Sequence, residues 1–370
     1  MKKKILIYGA GAIGRGYLPW VFSEKYHDFF FVDINKSLIT LLKKKKYYES
    51  FKIFKNKYYS KRIYPKKIYQ LNEEIDYLDK FDLVVICVGT RQAKKIFKNI
   101  SLFKKKIICL ENDPQVVEEY KKKSSKKNMF FGIPDVISSN TSPKEIKKKN
   151  KINLITEDGI CYIDKKCNIK NINAKFLSKD DLKKHWLAKL YIHNSAHCIS
   201  AYLGSMLKKF FIHESLEIYN IKKIVKDCIN ELSIMLNKKY NMNKKFISNY
   251  GTKELKRFSN KLLFDPITRV AREPFRKLQT NERLIGAANE CLSVGIEPKA
   301  LSLGIMSAIH YNNSKDEDTN LKILRKALNP ENFLKIILNL RTDEPLYQFL
   351  IKNWKKNQTR LKLIKNEYRK

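Results

Sequence analysis

Several things are scarce in this sequence of 370 residues, and each scarcity excludes something. No apolar run approaches the roughly 18 residues that a membrane-spanning helix needs, so no span is expected. The basic start Met1-Lys-Lys-Lys4 imitates a secretory leader, but the apolar run Ile5 to Tyr8 ends in glycine before a leader's core would be complete. Cysteine is sparse and unpatterned. Cys87, Cys109, Cys161, Cys167, Cys198, Cys228 and Cys291 are odd in number and lack Cys-x-x-Cys or Cys/His zinc spacing, which argues against a disulfide framework and a zinc site. Reduced thiols in a cytoplasmic protein are the expectation. Acidic residues are outnumbered, 37 against 76 Lys and Arg, for a formal charge of +39. Such an excess first suggests a polyanion partner. Here the lysine runs (Lys43 to Lys46, Lys104 to Lys106, Lys121 to Lys123, Lys147 to Lys149) are spread along the whole chain and come with abundant Asn, Ile, Tyr and Phe. That is a compositional bias, so no specific nucleic-acid or membrane partner is expected. Faster encounter with small anions remains a consequence of the charge.

What is present divides the chain in two. Its length and 43% hydrophobic content suit two domains. In residues 1–178, short β-rich runs (Ile5 to Tyr8, Phe29 to Val32, Leu83 to Val88, Ile107 to Leu110) alternate with amphipathic stretches around Arg15 to Lys25, Lys36 to Lys45, Gln92 to Asn99 and Gln115 to Lys123. This predicts an α/β domain with a mainly parallel sheet wrapped by helices. Ile152 to Thr156 and Ile160 to Ile163, flanking Glu157-Asp158-Gly159, predict a hairpin added to that sheet. Residues 179–370 predict an all-α domain, with helices over Asp180 to Leu207, Glu214 to Leu236, Asn281 to Val294, Lys299 to Ile309 and Leu334 to Leu340. Prolines 266, 274, 298 and 330 mark breaks, and the basic tail after Trp354 is expected to fray. No obligate dimer seam is legible in the helical half, which suggests a monomer or a weak homo-oligomer.

Gly9-Ala10-Gly11-Ala12-Ile13-Gly14 follows the first strand at once and opens a helical pattern, the context a dinucleotide fingerprint requires. Gly9 would permit the tight turn, Gly11 the approach of a pyrophosphate, and Gly14 close packing of helix on strand, as in a Rossmann-type domain. The second strand ends in Asp33, about 20 residues beyond the glycines, where a carboxylate accepts hydrogen bonds from a ribose 2′-hydroxyl and repels a 2′-phosphate. The cofactor expected is NAD.

The second polar constellation is Lys189, Asn194 and His197 in an otherwise apolar stretch. At about 100° per residue, Asn194 lies roughly 140° and His197 roughly 80° around a helix from Lys189, so all three heads reach one side of a cleft. A lysine on a helix this apolar is expected to be held away from water for a chemical purpose.

Both constellations in this order, with Tyr8-Gly9 to Gly14-Arg15-Gly16, Leu110-Glu111-Asn112, Ala201-Tyr202-Leu203-Gly204, Arg269-Val-Ala-Arg272-Glu-Pro-Phe-Arg276-Lys277-Leu278 and Glu282-Arg-Leu-Ile285, resemble the polyol-specific long-chain dehydrogenases, the mannitol dehydrogenase family. The resemblance covers nearly the whole chain. It implies a metal-independent, NAD-dependent oxidoreductase in which Lys189 is the general base, Asn194 and His197 hold the alcohol oxygen, and Asn112 joins the cofactor site. A lysine serves as a base when burial and nearby positive charge bring its pKa toward about 7–8. His193, on the same arc, falls where the family varies and is set aside. The resemblance further implies a phosphorylated sugar as substrate, the pair D-mannitol 1-phosphate and D-fructose 6-phosphate, with Arg272, Arg276 and Lys277 as its phosphate clamp. Two departures stand out. Ser138-Ser139-Asn140 replaces the usual Val-Asp-Arg run, and Glu273 stands where aspartate is usual. They leave open another polyol, polyol phosphate or hexuronate as substrate, or a relative that binds nucleotide without catalysing.

Overall fold

The structure, a computed structural model, describes residues 1–312 and 320–368. It divides into two compact units, Met1–Trp186 and Leu187–Lys370. The division falls later than the expected boundary at 178, inside the helix Lys179–Ala188.

Twelve strands are present among the described residues, all in the first unit: β1 (Lys3–Tyr8), β2 (His27–Asp33), β3 (Tyr48–Phe54), β4 (Lys57–Ile63), β5 (Lys67–Gln70), β6 (Leu83–Ile86), β7 (Lys106–Cys109), β8 (Met129–Asp135), β9 (Ser138–Ser139), β10 (Leu154–Glu157), β11 (Ile160–Asp164) and β12 (Lys175–Leu177). Eight of them form one sheet in the order β12-β11-β8-β7-β6-β1-β2-β5, parallel throughout except where β11 runs against β8. Alternation along β1 shows why both faces are covered. Ile5 and Ile7 enter one apolar cluster with Phe29, Phe31, Leu18 and Ile39, while Leu6 and Tyr8 enter the other with Val84, Phe97, Val116 and Tyr120. The strand order reverses direction between β1 and β6, so the carboxyl ends of these two strands flank the crevice where such sheets bind ligands.

The predicted hairpin does not form. β10 lies in a second sheet, β4-β3-β10-β9, and β11 pairs with β8 and β12 in the first. All four β10 residues are buried and both its edges are used, by β3 and β9, whereas a hairpin arm would take its neighbour as partner. Gly159 makes the crossing possible, because a Cβ there would lie 2.5 Å from the Asp135 carbonyl oxygen. The true hairpin is β3–β4, turned by Lys55 and Asn56 with φ of 46° and 57°. Two consecutive left-handed residues are the type I′ geometry that matches strand twist.

The second unit is helical, as expected. Its centre is the helix Asn194–Met206, buried from Ser195 to Gly204 and packed on Tyr219–Tyr240 and Lys299–Ile309. Gly204 lets it approach Ser215, since a Cβ there would overlap the Ser215 hydroxyl. Helix Lys244–Phe258, absent from the sequence reading, completes this packing. The tail does not fray after Trp354. Helix Pro345–Glu367 runs on because Asn357, Leu361 and Ile364 recur at helical spacing and are buried.

Candidate active site

The glycine turn behaves as three different residues. Gly9 has φ +100°, and a Cβ there would lie 2.6 Å from the Cys87 carbonyl oxygen beyond β6. At Gly14 a Cβ would overlap the Gly9 carbonyl oxygen. Around Gly11 no atom lies within 4 Å of the Cβ position, so this glycine faces open space, the room that a phosphate approaching the backbone requires. Ala12 and Ile13 begin a π-helical turn, Ala12–Tyr17, followed by one α-helical turn, Leu18–Val21; the longer helix expected from Arg15 to Lys25 is absent. Arg15 explains how this irregular entry is held. Its buried guanidinium donates from Nε to the Ala10 carbonyl at 2.5 Å and from Nη1 to the Ile152 carbonyl at 2.6 Å, and it lies over the Tyr48 ring. Asp33 accepts from the Ala10 N–H at 2.8 Å through Oδ2 and from the Asn35 N–H at 2.9 Å through Oδ1. A carboxylate has about four acceptor sites, so capacity for a ribose hydroxyl remains. Glu111, quoted earlier only for resemblance, orders the neighbouring loop by accepting from the Val88 and Gly89 N–H groups at 2.8 and 2.9 Å. Asn112 is exposed, and its carbonyl accepts from the Trp186 indole at 2.7 Å.

The lysine constellation sits on a distorted helix. Lys189–His193 is a π-helical segment between the helices Lys179–Ala188 and Asn194–Met206, and the Asn194 N–H donates to the Lys189 carbonyl, a bond across five residues. A residue five positions on then stands about one turn above, so Lys189 and Asn194 share a face more closely than the roughly 140° of regular α-helical spacing would bring them. Both are half-buried, so the ammonium is not sealed from water as the sequence implied.

His197 is buried, with Nε2 2.8 Å from Asp265 Oδ2 and its ring stacked on Phe258 at 4.8 Å and 5°. The other Asp265 oxygen accepts from Arg269 Nε and Nη2 at 2.8 and 2.6 Å. Burial opposes ionisation of Asp265, but Arg269 and then His197 outweigh it and hold the carboxyl at about 2. Burial moves His197 the other way, below the usual imidazole range, more strongly than Asp265 lifts it. The pairing fixes the neutral tautomer with the proton on Nε2, leaving Nδ1 as acceptor. Of the two ring nitrogens that could serve the expected role of holding the alcohol oxygen, the outer one, Nε2, is taken by Asp265.

His193, set aside by the sequence reading, is built the same way. Its Nδ1 lies 2.6 Å from Glu254, a fully buried carboxylate that also accepts from Arg257 at 2.6 Å, and its ring is 5.1 Å from that of His197. Asp265, Glu254 and Arg257 were missed because nothing local marks them; Asp265 registered only as the residue before a proline.

Arg272, Arg276 and Lys277 do not form three open cations. Arg272 is exposed and, among the described residues, pairs with no carboxylate. Arg276 is held by Glu273 at 2.9 Å and Glu282 at 2.7 Å. Lys277 turns inward, donating to the Val270 carbonyl at 2.7 Å and to the Arg272 carbonyl, and burial pushes its pKa down to about 7. Two residues in this stretch hold left-handed backbone, Phe264 at φ 45° and Glu273 at φ 56°, each beside a committed carboxylate or proline. For residues with a Cβ that conformation is strained and is kept only where the surroundings enforce it. Among the described residues no group of three or more His, Cys, Asp or Glu could hold a metal, and no helix is long and apolar enough to cross a membrane.

Comparison with known proteins settles the family. Residues 181–336 match the mannitol dehydrogenase C-terminal domain, and residues 5–157 match ketopantoate reductase PanE/ApbA. The mannitol-1-phosphate 5-dehydrogenase of Caldanaerobacter subterraneus subsp. tengcongensis is 30% identical over 338 residues, 85% of this chain and 87% of that one. The chain belongs to the mannitol dehydrogenase family. A second member, the mannitol-1-phosphate 5-dehydrogenase of Thermoanaerobacter pseudethanolicus, is 29% identical over 379 residues, covering 95% and 97% of the two chains. The fold is shared with Pseudomonas fluorescens mannitol 2-dehydrogenase, solved as a ternary complex with NAD and D-mannitol, at a TM-score of 0.75, 13% identity and coverage of 98% and 92%. As a family member, this chain is a polyol dehydrogenase with an N-terminal nucleotide-binding domain and a helical C-terminal domain.

Proposed function

We propose that the protein interconverts D-mannitol 1-phosphate and D-fructose 6-phosphate with NAD+ and NADH. The observation that carries the chemistry is the hydrogen bond from the Asn194 N–H to the Lys189 carbonyl, which stacks an ammonium and a carboxamide on one face. The names of relatives near 30% identity over most of the chain support the choice of substrate. Gly9, Ala10, Gly11, Ala12, Ile13 and Gly14 would hold the pyrophosphate and Asp33 the adenosine ribose, with Asn112 nearby; a carboxylate at that place disfavours a 2′-phosphate and so NADP. When bound, NAD+ supplies the hydride acceptor. Lys189 Nζ, as the free amine, takes the proton of the alcohol oxygen, and the Asn194 carboxamide donates to that oxygen as negative charge develops on it. His197, fixed by Asp265 and Phe258, orients this arrangement from within the core. Arg272 is the cation we assign to the substrate phosphate, because among the described residues Arg276 is held by Glu273 and Glu282 and Lys277 is turned inward onto backbone carbonyls, while Arg272 is exposed. No disulfide joins any of the seven cysteines among the described residues, and the proposed setting is a reducing, cytoplasmic one.

One observation favours a second reading, another polyol or polyol phosphate. Ser138 and Ser139 are buried in β9, and the Ser138 hydroxyl is spent on the Ala12 carbonyl at 2.8 Å, so the charged pair usual in relatives is replaced by a structural strand. NADH oxidation by purified protein with fructose 6-phosphate, fructose, tagaturonate and ribulose 5-phosphate tests the proposal. Turnover with fructose 6-phosphate at least tenfold above the others in kcat/KM is expected, about 1.4 kcal/mol of discrimination. Turnover confined to an unphosphorylated sugar overturns it.

A further inference from the structure

We infer that the helical unit carries a second ligand site, remote from Lys189, that binds a small phosphate monoester. A cavity of about 430 Å³ opens among the far end of helix Asn194–Met206, the end of helix Lys299–Ile309, and the helices Asn320–Ala327 and Pro345–Glu367. That volume is in the range of small-molecule pockets and suits a hexose or pentose phosphate. Tyr202 lines it and lies thirteen residues beyond Lys189, about 20 Å along a helix rising 1.5 Å per residue.

The lining is one-sided in charge. Arg325, Lys362 and Lys365 face the cavity, and among the described residues no acidic side chain lines it and none of these three cations pairs with a carboxylate. The chain is basic everywhere, yet in the Asp265–Arg283 segment Arg269, Arg276 and Arg283 are all held by carboxylates. Here three converge without a carboxylate among the described residues, and Arg325 is half-buried, where water screens repulsion least. His310 also lines the cavity; its Nδ1 bonds the Met306 carbonyl at 2.9 Å, so in the neutral ring Nε2 remains an acceptor for a sugar hydroxyl. The Tyr202 hydroxyl is buried in the cavity wall without a hydrogen-bond partner, and Gln358 adds an amide. Cations for the phosphate, and an acceptor, an amide and a hydroxyl for the sugar, together specify a phosphorylated sugar over a bare anion.

Isothermal titration of the full chain with glucose 6-phosphate and with inorganic phosphate tests this. The ester is expected to bind at least about tenfold more tightly than inorganic phosphate, and Arg325→Gln or Lys365→Gln is expected to weaken it by about tenfold or more, the scale of one charge-assisted hydrogen bond. Tyr202→Phe keeps shape and packing and is expected to weaken it a few-fold, while kcat of all three variants stays within about twofold of the parent. Equal affinity for phosphate and ester overturns the sugar assignment. Unchanged affinity in both cation variants overturns the site, and loss of turnover alongside loss of binding overturns its separation from Lys189.

Discussion

In the nucleotide-binding unit the polar work falls to backbone. Gly9 and Gly14 are required by sterics, Gly11 by the space in front of it, and the side chains that matter, Arg15, Asp33 and Glu111, serve by bonding main-chain groups. In the helical unit the work falls to side chains tens of residues apart, paired in the core: His197 with Asp265 and Arg269, His193 with Glu254 and Arg257. The contrast shows two ways of placing a polar group. A turn is specified by neighbours in sequence and tolerates little change at one atom, whereas a buried ion pair is specified by packing and carries its cost in desolvation.

The largest test of that contrast is Lys189→Ala. It should lower kcat by roughly 10²–10⁴-fold, as loss of a general base does, with NADH affinity by fluorescence titration unchanged because the glycine turn is untouched. Loss of both together would show that the two sites are not separable as described. Next, Asp265→Asn should destabilise by about 3–5 kcal/mol in urea titration, leaving Arg269 without its buried counter-charge. The pH dependence has a definite sign. Asp265 is depressed from 3.8 to about 2, so its stabilisation is present above pH 4 and lost as pH falls toward 2, about 2 kcal/mol that the variant should lack. Parallel acid-unfolding curves for the two proteins would contradict this.

Gly14→Ala and Gly11→Ala sharpen the backbone side. The first must displace the Gly9 carbonyl and should lower both Tm and NADH affinity; the second meets no protein atom and should weaken NADH binding while Tm stays within a few degrees. Equal loss of Tm in both would remove Gly11 from the cofactor site. Smallest is Arg272→Gln, expected to raise KM for fructose 6-phosphate about tenfold with kcat within about twofold, since a phosphate contact away from the reacting carbon contributes uniform binding. An unchanged KM would move the phosphate to another cation.

Legibility in the sequence follows the same division. β1, β2, β6 and β7 were readable because both faces of a parallel sheet are buried and such strands are short apolar runs. The β3–β4 hairpin escaped notice because four of its fourteen residues are lysine or arginine, in a chain whose compositional bias blurs alternation. Glu157-Asp158-Gly159 resembled a hairpin turn because local chemistry cannot tell a return to the same sheet from a crossing to another. The basic tail was misjudged for a related reason: charge density suggested fraying, while three positions at helical spacing sufficed to dock it.

By itself the sequence determined the α/β-then-α order, the glycine turn with Asp33 behind it, and the presence of Lys189, Asn194 and His197 on one helical stretch, because each depends on residues a turn or a strand apart. Only the tertiary structure decided that a π-helical turn brings Lys189 and Asn194 to one face, that Asp265 claims the outer nitrogen of His197, that Lys277 points inward, and that Arg276 is already neutralised. Those outcomes depend on which distant carboxylate or carbonyl packing delivers to a buried charge. That choice is made by desolvation in the folded core, where an unmatched charge is too costly to keep.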